Sequence, residues 1–214
     1  MPVIGQFMRE NDGFIGHLTT LSLHQDIIIV AAEPSEAENA PDYRVHVLDT
    51  MSNETGAEIG ALMNAATRKL GGSPEFALVL VGEASAYPHG TEAVHRVAPG
   101  QVVLMDCGCT VQGYQSDVSR TGVFGRPRAE VVRVWEHMAE GQRVAFAAAK
   151  LGAPAGQVDD AVRRHYARLG YGPDYRLPGL SHRTGHGIGL DGHEPVNLVR
   201  GETTRLAPGM CFSS

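Results

Sequence analysis

Cysteine is scarce in this chain: Cys107, Cys109 and Cys211 are the only three among 214 residues. An odd count with one C-x-C pair does not make a disulfide framework. Cys107 and Cys109 fall in an apolar run and read as buried free thiols rather than metal ligands, which agrees with a reducing compartment. Runs of like charge are missing too. Lys and Arg are scattered and the formal net charge is −6, so the chain carries no electrostatic footprint for nucleic acid. No stretch of about 18 apolar residues occurs, which excludes an apolar helical membrane span. Met1 to Arg9 lacks a basic stretch followed by an apolar one and a cleavage site, so no secretory signal is expected. Short-period repeats and low-complexity tracts are absent as well. These absences leave the expectation of a soluble, cytoplasmic protein that binds neither nucleic acid nor membrane. What is present is ordinary in bulk: 43% hydrophobic and 20% charged residues, over a length suited to one domain or one domain with a short appendage.

Residues 1–50 give few signals. Residues 26–31 and 43–48 read as strands, with a polar, proline-flanked loop at 33–41 between them. From Thr55 the pattern sharpens. Thr55-x-x-Glu58 is a capping box, and Ile59, Leu62, Met63, Ala66 and Leu70 follow at helical spacing until Gly71-Gly72. Strands are expected over 76–82 and 101–106. A helix is expected over 128–150, with Val131, Val134, Trp135, Met138, Ala145, Phe146 and Ala149 on its apolar stripe, and another over 156–169 on Val158, Ala161, Val162, His165, Tyr166 and Leu169. This mixed order predicts an α+β fold with an antiparallel sheet.

Three features carry chemistry. Asp106 and Asp117 flank a turn at Gly113. If the arms pair about Val111 and Gln112, residues whose numbers sum to 223 lie opposite, and these two aspartates do so. Carboxylates ~5 Å apart on one face repel unless a cation separates them, and a divalent ion answers that need. Two ordinary strand-end aspartates would read the same way. The segment Ser181 to Glu194 holds His182, His186 and His193 among Gly185, Gly187, Gly189 and Gly192. Imidazoles are metal ligands and proton carriers, and glycines let backbone approach a site closely. A solvated His-rich loop is the plain alternative, although Ile188 and Leu190 suggest a buried alternating segment. His89, in Tyr87-Pro-His-Gly90, is a lone turn histidine, a type that usually has no role.

Together the order His, Asp, Asp, His resembles that of the pita-bread metallopeptidases, which include methionine aminopeptidase, prolidase, aminopeptidase P and creatinase. Gly113-Tyr-Gln-Ser-Asp-Val-Ser-Arg-Thr121 is similar to the prolidase and aminopeptidase P form rather than the Gly-Asp-Thr-Ser form of methionine aminopeptidases. The resemblance covers about residues 54–214. It implies a pita-bread α+β fold, a mostly antiparallel curved sheet flanked by helices, with residues 51–214 as a partial catalytic domain and 1–50 unassigned. It implies two divalent ions, manganese favoured over cobalt or zinc, on Asp106, Asp117 and His186. His89 would touch the substrate near the scissile bond, His193 would be a further active-site histidine, and His182 the extra one of the proline-specific branch. The implied reaction is cleavage of Xaa-Pro bonds by a hydroxide bridging the ions, in peptides with proline at the second position, and homodimers are usual in the family. Two glutamate ligands of the family follow a Pro-Gly-Met-x-Phe-Ser segment, which here is Pro208 to Ser213, one residue before the sequence stops at Ser214. The fold is therefore expected to be incomplete at its C-terminus and the chain to have little activity alone. A non-catalytic binding module of the same fold and a creatinase-like hydrolase of a small C–N bond are the other two readings. The retained Asp106, Asp117 and His186 favour the peptidase.

Overall fold

The computed structural model describes residues 29–30, 46–47, 53–87 and 89–214. They divide into two compact units: Met1–Cys107 with Ser119–Pro127, and Gly108–Val118 with Arg128–Ser214.

In the first unit, β1 (Ile29–Val30) and β2 (His46–Val47) pair antiparallel. The rest of the two N-terminal segments expected as strands, and the loop expected at 33–41, lie outside the described residues. Helix α1 (Gly56–Lys69) starts at the expected capping box. The Thr55 hydroxyl accepts from the Glu58 N–H at 3.2 Å, and Glu58 Oε2 accepts from the Thr55 N–H at 2.7 Å. The helix lies on β3 (Ser73–Val81) at Gly56, where a Cβ would stand 2.1 Å from the Val79 carbonyl oxygen. Ile59, Val79, Val81, Val97, Val103, Met105 and Phe124 form the core of this unit.

Strand β4 (Val102–Val111) lies between β3 and β5 (Tyr114–Gln115), and β6 (Val118–Val123) also pairs with β4. β4 runs five residues past the expected end at 106. The turn sits at Gln112 and Gly113, both at positive φ (52° and 85°), the two-residue hairpin form whose twist matches that of its strands. Thr110 therefore opposes Gln115 and Val111 opposes Tyr114. That register is two residues away from the one expected, because the turn is centred one residue later. A shift of two keeps each side chain on its expected face.

In the second unit, α2 (Ala129–Ala148) and α3 (Ala155–Arg168) pack where Gly141 admits the Tyr166 ring, whose hydroxyl would lie 2.0 Å from a Cβ at 141. The apolar stripe expected on α2 is wrong in part. Val134, Met138 and Phe146 are 41%, 37% and 86% exposed, and the face turned inward is Gly141, Val144, Ala145 and Ala148. Small side chains let α3 approach, so the bulky ones point outward, where Trp135, Ala139, Gln142, Arg143, Phe146 and Ala147 line a shallow hollow. Ala145, Ala155, Val158, Val162, Tyr166, Leu198 and Leu206 make the core. A small sheet places β7 (Gly185–Gly187) between β8 (Glu194–Leu198) and β9 (Phe212–Ser213), antiparallel to both. β7 is shorter than Ile188 and Leu190 suggested. Glu194 Oε1 accepts from the Leu190 N–H at 2.7 Å, bending the chain there and leaving Leu190 62% exposed. Cys107 and Cys109 are half-buried rather than buried, and Cys211 is exposed. Among the described residues no helix is long and apolar enough to cross a membrane.

Candidate metal centre

Asp117 leaves a segment that is tied on two sides. The Gln115 N–H donates to the Gly189 carbonyl at 2.7 Å, and the Ser116 N–H donates to the Cys109 carbonyl at 2.9 Å. Held this way, Asp117 Oδ2 lies 3.0 Å from His186 Nε2, with the side chains 19% and 10% exposed. His186 stands at the middle of β7, and its flanking glycines are required by packing. A Cβ at Gly185 would fall 2.2 Å from the Ser213 carbonyl oxygen, and one at Gly187 2.6 Å from that of Pro195.

The second ring nitrogen settles the electrostatics. His186 Nδ1 is 3.0 Å from the Gly187 carbonyl oxygen, which can only accept, so Nδ1 carries a proton. Nε2 then faces a carboxylate, and two acceptors at this distance need a proton or a metal ion between them. A ligating histidine whose other N–H is given to a backbone carbonyl is the usual arrangement at metal sites. One carboxylate oxygen and one imidazole nitrogen suit a first-row divalent ion, so this pair fits as two ligands of such an ion. Among the described residues no three His, Cys, Asp or Glu side chains gather closely enough to hold one.

The His193 ring stacks on His186, centroids 4.2 Å apart and planes tilted by 32°. Loss of solvent, then the neighbouring His186 and Arg183 charges, lower its basicity, with Asp117 acting the other way. His193, stacked on His186, is thus biased toward its neutral form. Arg183 Nη1 donates to Asn197 Oδ1 at 2.8 Å. His182 is exposed, on the segment that leads into β7. Asp106 and His89 belong to the first unit. There Asp106, on β4, accepts from the Ser119 hydroxyl at 2.7 Å, and His89 is exposed in a turn closed by the Gly90 N–H donating to the Tyr87 carbonyl at 3.1 Å.

The apolar stripe expected on α3 leaves out Asp159 and Arg163, which are 0% and 4% exposed. The signal was an opposite-charge pair four residues apart, interleaved with Val158 and Val162 on the buried face. Arg163 Nε donates to Asp159 Oδ2 at 2.7 Å and Nη2 to Oδ1 at 3.0 Å. Burial opposes the Asp159 charge, but hydrogen bonds from Arg163 and Thr184, the Arg163 charge and the Tyr175 hydroxyl outweigh it and hold the carboxyl below its ordinary value.

The sequence pattern of metallopeptidase family M24 matches residues 38–214. The chain belongs to that family. It is 37% identical over 136 residues to a Xaa-Pro dipeptidase of Lactobacillus delbrueckii subsp. lactis, covering 64% of this chain and 36% of that protein. It is 34% identical over 163 residues to a Xaa-Pro dipeptidase of Pyrococcus horikoshii, covering 75% and 44%. The chain thus spans less than half the length of these M24 relatives. The crystal structure of a dipeptidase from Pyrococcus horikoshii is similar at a TM-score of 0.69 and 30% identity, over 76% of this chain and 44% of that one. A prolidase from Pyrococcus furiosus is similar at 0.69 and 31%, over 77% and 48%. The expected pita-bread α+β fold is the fold this M24 chain shares with its structural neighbours.

Proposed function

We propose that this chain is part of a metal-dependent hydrolase of Xaa-Pro peptides, in which Asp117 and His186 hold one divalent ion and Asp106 is the further aspartate ligand. The observation that carries the proposal is the opposition of Asp117 Oδ2 and His186 Nε2 at 3.0 Å, with Nδ1 already committed to the Gly187 carbonyl. Membership of family M24 and relatives named Xaa-Pro dipeptidase support the substrate class. Manganese is the favoured ion, because oxygen-rich sites suit it, with cobalt and zinc as competitors. When bound, such ions supply Lewis acidity, polarising the scissile carbonyl and acidifying the attacking water. The residues of the chain supply orientation and proton management. The carbonyl of Gly187 fixes the His186 tautomer so that Nε2 faces Asp117. Neutral His193, stacked on His186, is placed to donate or accept one hydrogen bond with a peptide group. His89 and His182, both solvent-accessible, are the proposed contacts to the rest of the peptide.

Calorimetric titration of the chain with Mn²⁺ tests the ligand assignment. Saturable binding is expected, weakened at least about tenfold in Asp117→Asn and in His186→Ala. An unsubstituted chain that takes up no Mn²⁺, or variants that bind it as well as their parent, would overturn the assignment. Release of proline from an Ala-Pro dipeptide under Mn²⁺ by the whole protein tests the substrate class, and an inert whole protein with metal bound would remove it.

A further inference from the structure

We propose that the buried Asp159–Arg163 pair positions His186: it fixes the segment that enters β7, and it does so chiefly through Thr184. The inference rests on the metal-ligand reading of His186 given above. Residues 169–184, between α3 and β7, contain no helix or strand, so no repeating backbone ladder holds them. The ion pair substitutes for one. Arg163 Nη1 donates to the carbonyls of Asp174 at 2.8 Å and Leu180 at 2.6 Å, and Nη2 donates to that of His182 at 2.5 Å. With the two bonds to Asp159, every guanidinium N–H is used. The Tyr175 ring lies 3.4 Å from the guanidinium carbon, and its hydroxyl donates to Asp159 Oδ2 at 3.0 Å.

The carboxylate continues the chain of contacts toward the site. Asp159 Oδ1 accepts from the Thr184 hydroxyl at 2.7 Å and its N–H at 3.2 Å, while Oδ2 accepts from the Arg200 N–H at 3.0 Å. Thr184 immediately precedes β7, and Arg200 lies two residues past β8. One carboxylate therefore clamps the start of the strand bearing His186 and the end of the strand that follows His193. Stability alone does not account for such a pair, since replacing a buried ion pair with apolar residues is often neutral or stabilising. What apolar groups cannot supply is direction. A planar guanidinium and a carboxylate with fixed lone pairs set the path of the Asp174 to Thr184 segment and the entry angle of β7.

Two substitutions that each remove one hydrogen bond to the same carboxylate separate positioning from stability. In the full chain, Thr184→Val breaks the link next to β7, Tyr175→Phe breaks one away from it, and Thr184→Ser restores the hydroxyl. The probes are Co²⁺ affinity, followed by its visible absorption, and the ring ¹⁵N resonances of His186 without metal. Thr184→Val is expected to weaken Co²⁺ about tenfold to a hundredfold and to shift the His186 ¹⁵N resonances. Thr184→Ser and Tyr175→Phe are expected to leave both near the parent values. Arg163→Lys keeps the charge but loses the fork and is expected to follow Thr184→Val. Equal changes in Thr184→Val and Tyr175→Phe, or unshifted His186 resonances in Thr184→Val, overturn the inference. If the parent chain takes up no Co²⁺, the metal reading fails, and the metal-free resonances alone decide the positioning claim.

Discussion

At the scale of single residues, the site is built by exclusion as much as by attraction. His186 can stand in the central strand of its sheet only because its two neighbours have no side chain. A Cβ on Gly185 would meet the Ser213 carbonyl oxygen at 2.2 Å, and backbone in a paired strand cannot withdraw cheaply. Gly185→Ala is expected to lower stability by about 1–3 kcal/mol, read as a fall in the urea midpoint, and to weaken divalent-metal uptake in parallel. Asp117 shows the complementary principle. Its carboxylate approaches His186 because Gln115 and Ser116 are stitched to Gly189 and Cys109, so the acidic side chain is aimed by bonds of its neighbours rather than by its own.

At the scale of elements, α1 and α3 illustrate two ways of securing a helix. α1 is secured locally by its capping box, and Thr55→Ala is expected to cost about 1 kcal/mol, measured by urea unfolding followed in the far-UV. α3 is secured through the buried pair. Arg163→Met would leave the Asp159 carboxylate buried without its cation and is expected to cost about 3–5 kcal/mol, several times the effect of losing the cap. The same contrast explains what the sequence made legible. Thr55, Glu58 and the periodic apolar residues announce α1 because all the information is local. The pattern of α3 was read correctly at Val158, Val162 and Tyr166, but the partners of Asp159, namely Tyr175, Thr184 and Arg200, are up to 41 residues away. No local pattern reports such partners. The α2 stripe misled for a related reason: Phe146 and Met138 look like core by hydropathy, while the partner helix accepts only the small face at Gly141 and Ala145. Asp106, Asp117 and His186 were singled out through their spacing and flanks. The hairpin register around Asp117 was two residues off, because the left-handed pair Gln112 and Gly113 is not marked by an Asn-Gly or Asp-Gly signal.

At the scale of the whole molecule, acidity should weaken the fold through its buried carboxylate. Asp159 binds its proton less readily in the native chain than in the unfolded one, so the unfolded state holds more protons in the acid range and stability rises with pH there. Its contribution is complete above the ordinary carboxylate value of about 4, and it declines as pH falls from there through the depressed native value. Urea midpoints between pH 3 and 7 should therefore drop steeply at the acid end for the parent chain. They should drop less steeply for Asp159→Asn, which is weaker throughout. The outward face of α2 has a consequence of another kind. Phe146 is 86% exposed and lines the hollow at Trp135, and Val134 and Met138 are exposed further along the same helix. A greasy facet of this sort binds hydrophobic dyes and draws molecules together as concentration rises. Static light scattering should find a negative second virial coefficient for the purified chain, moved toward positive values by Phe146→Lys with the folded structure intact.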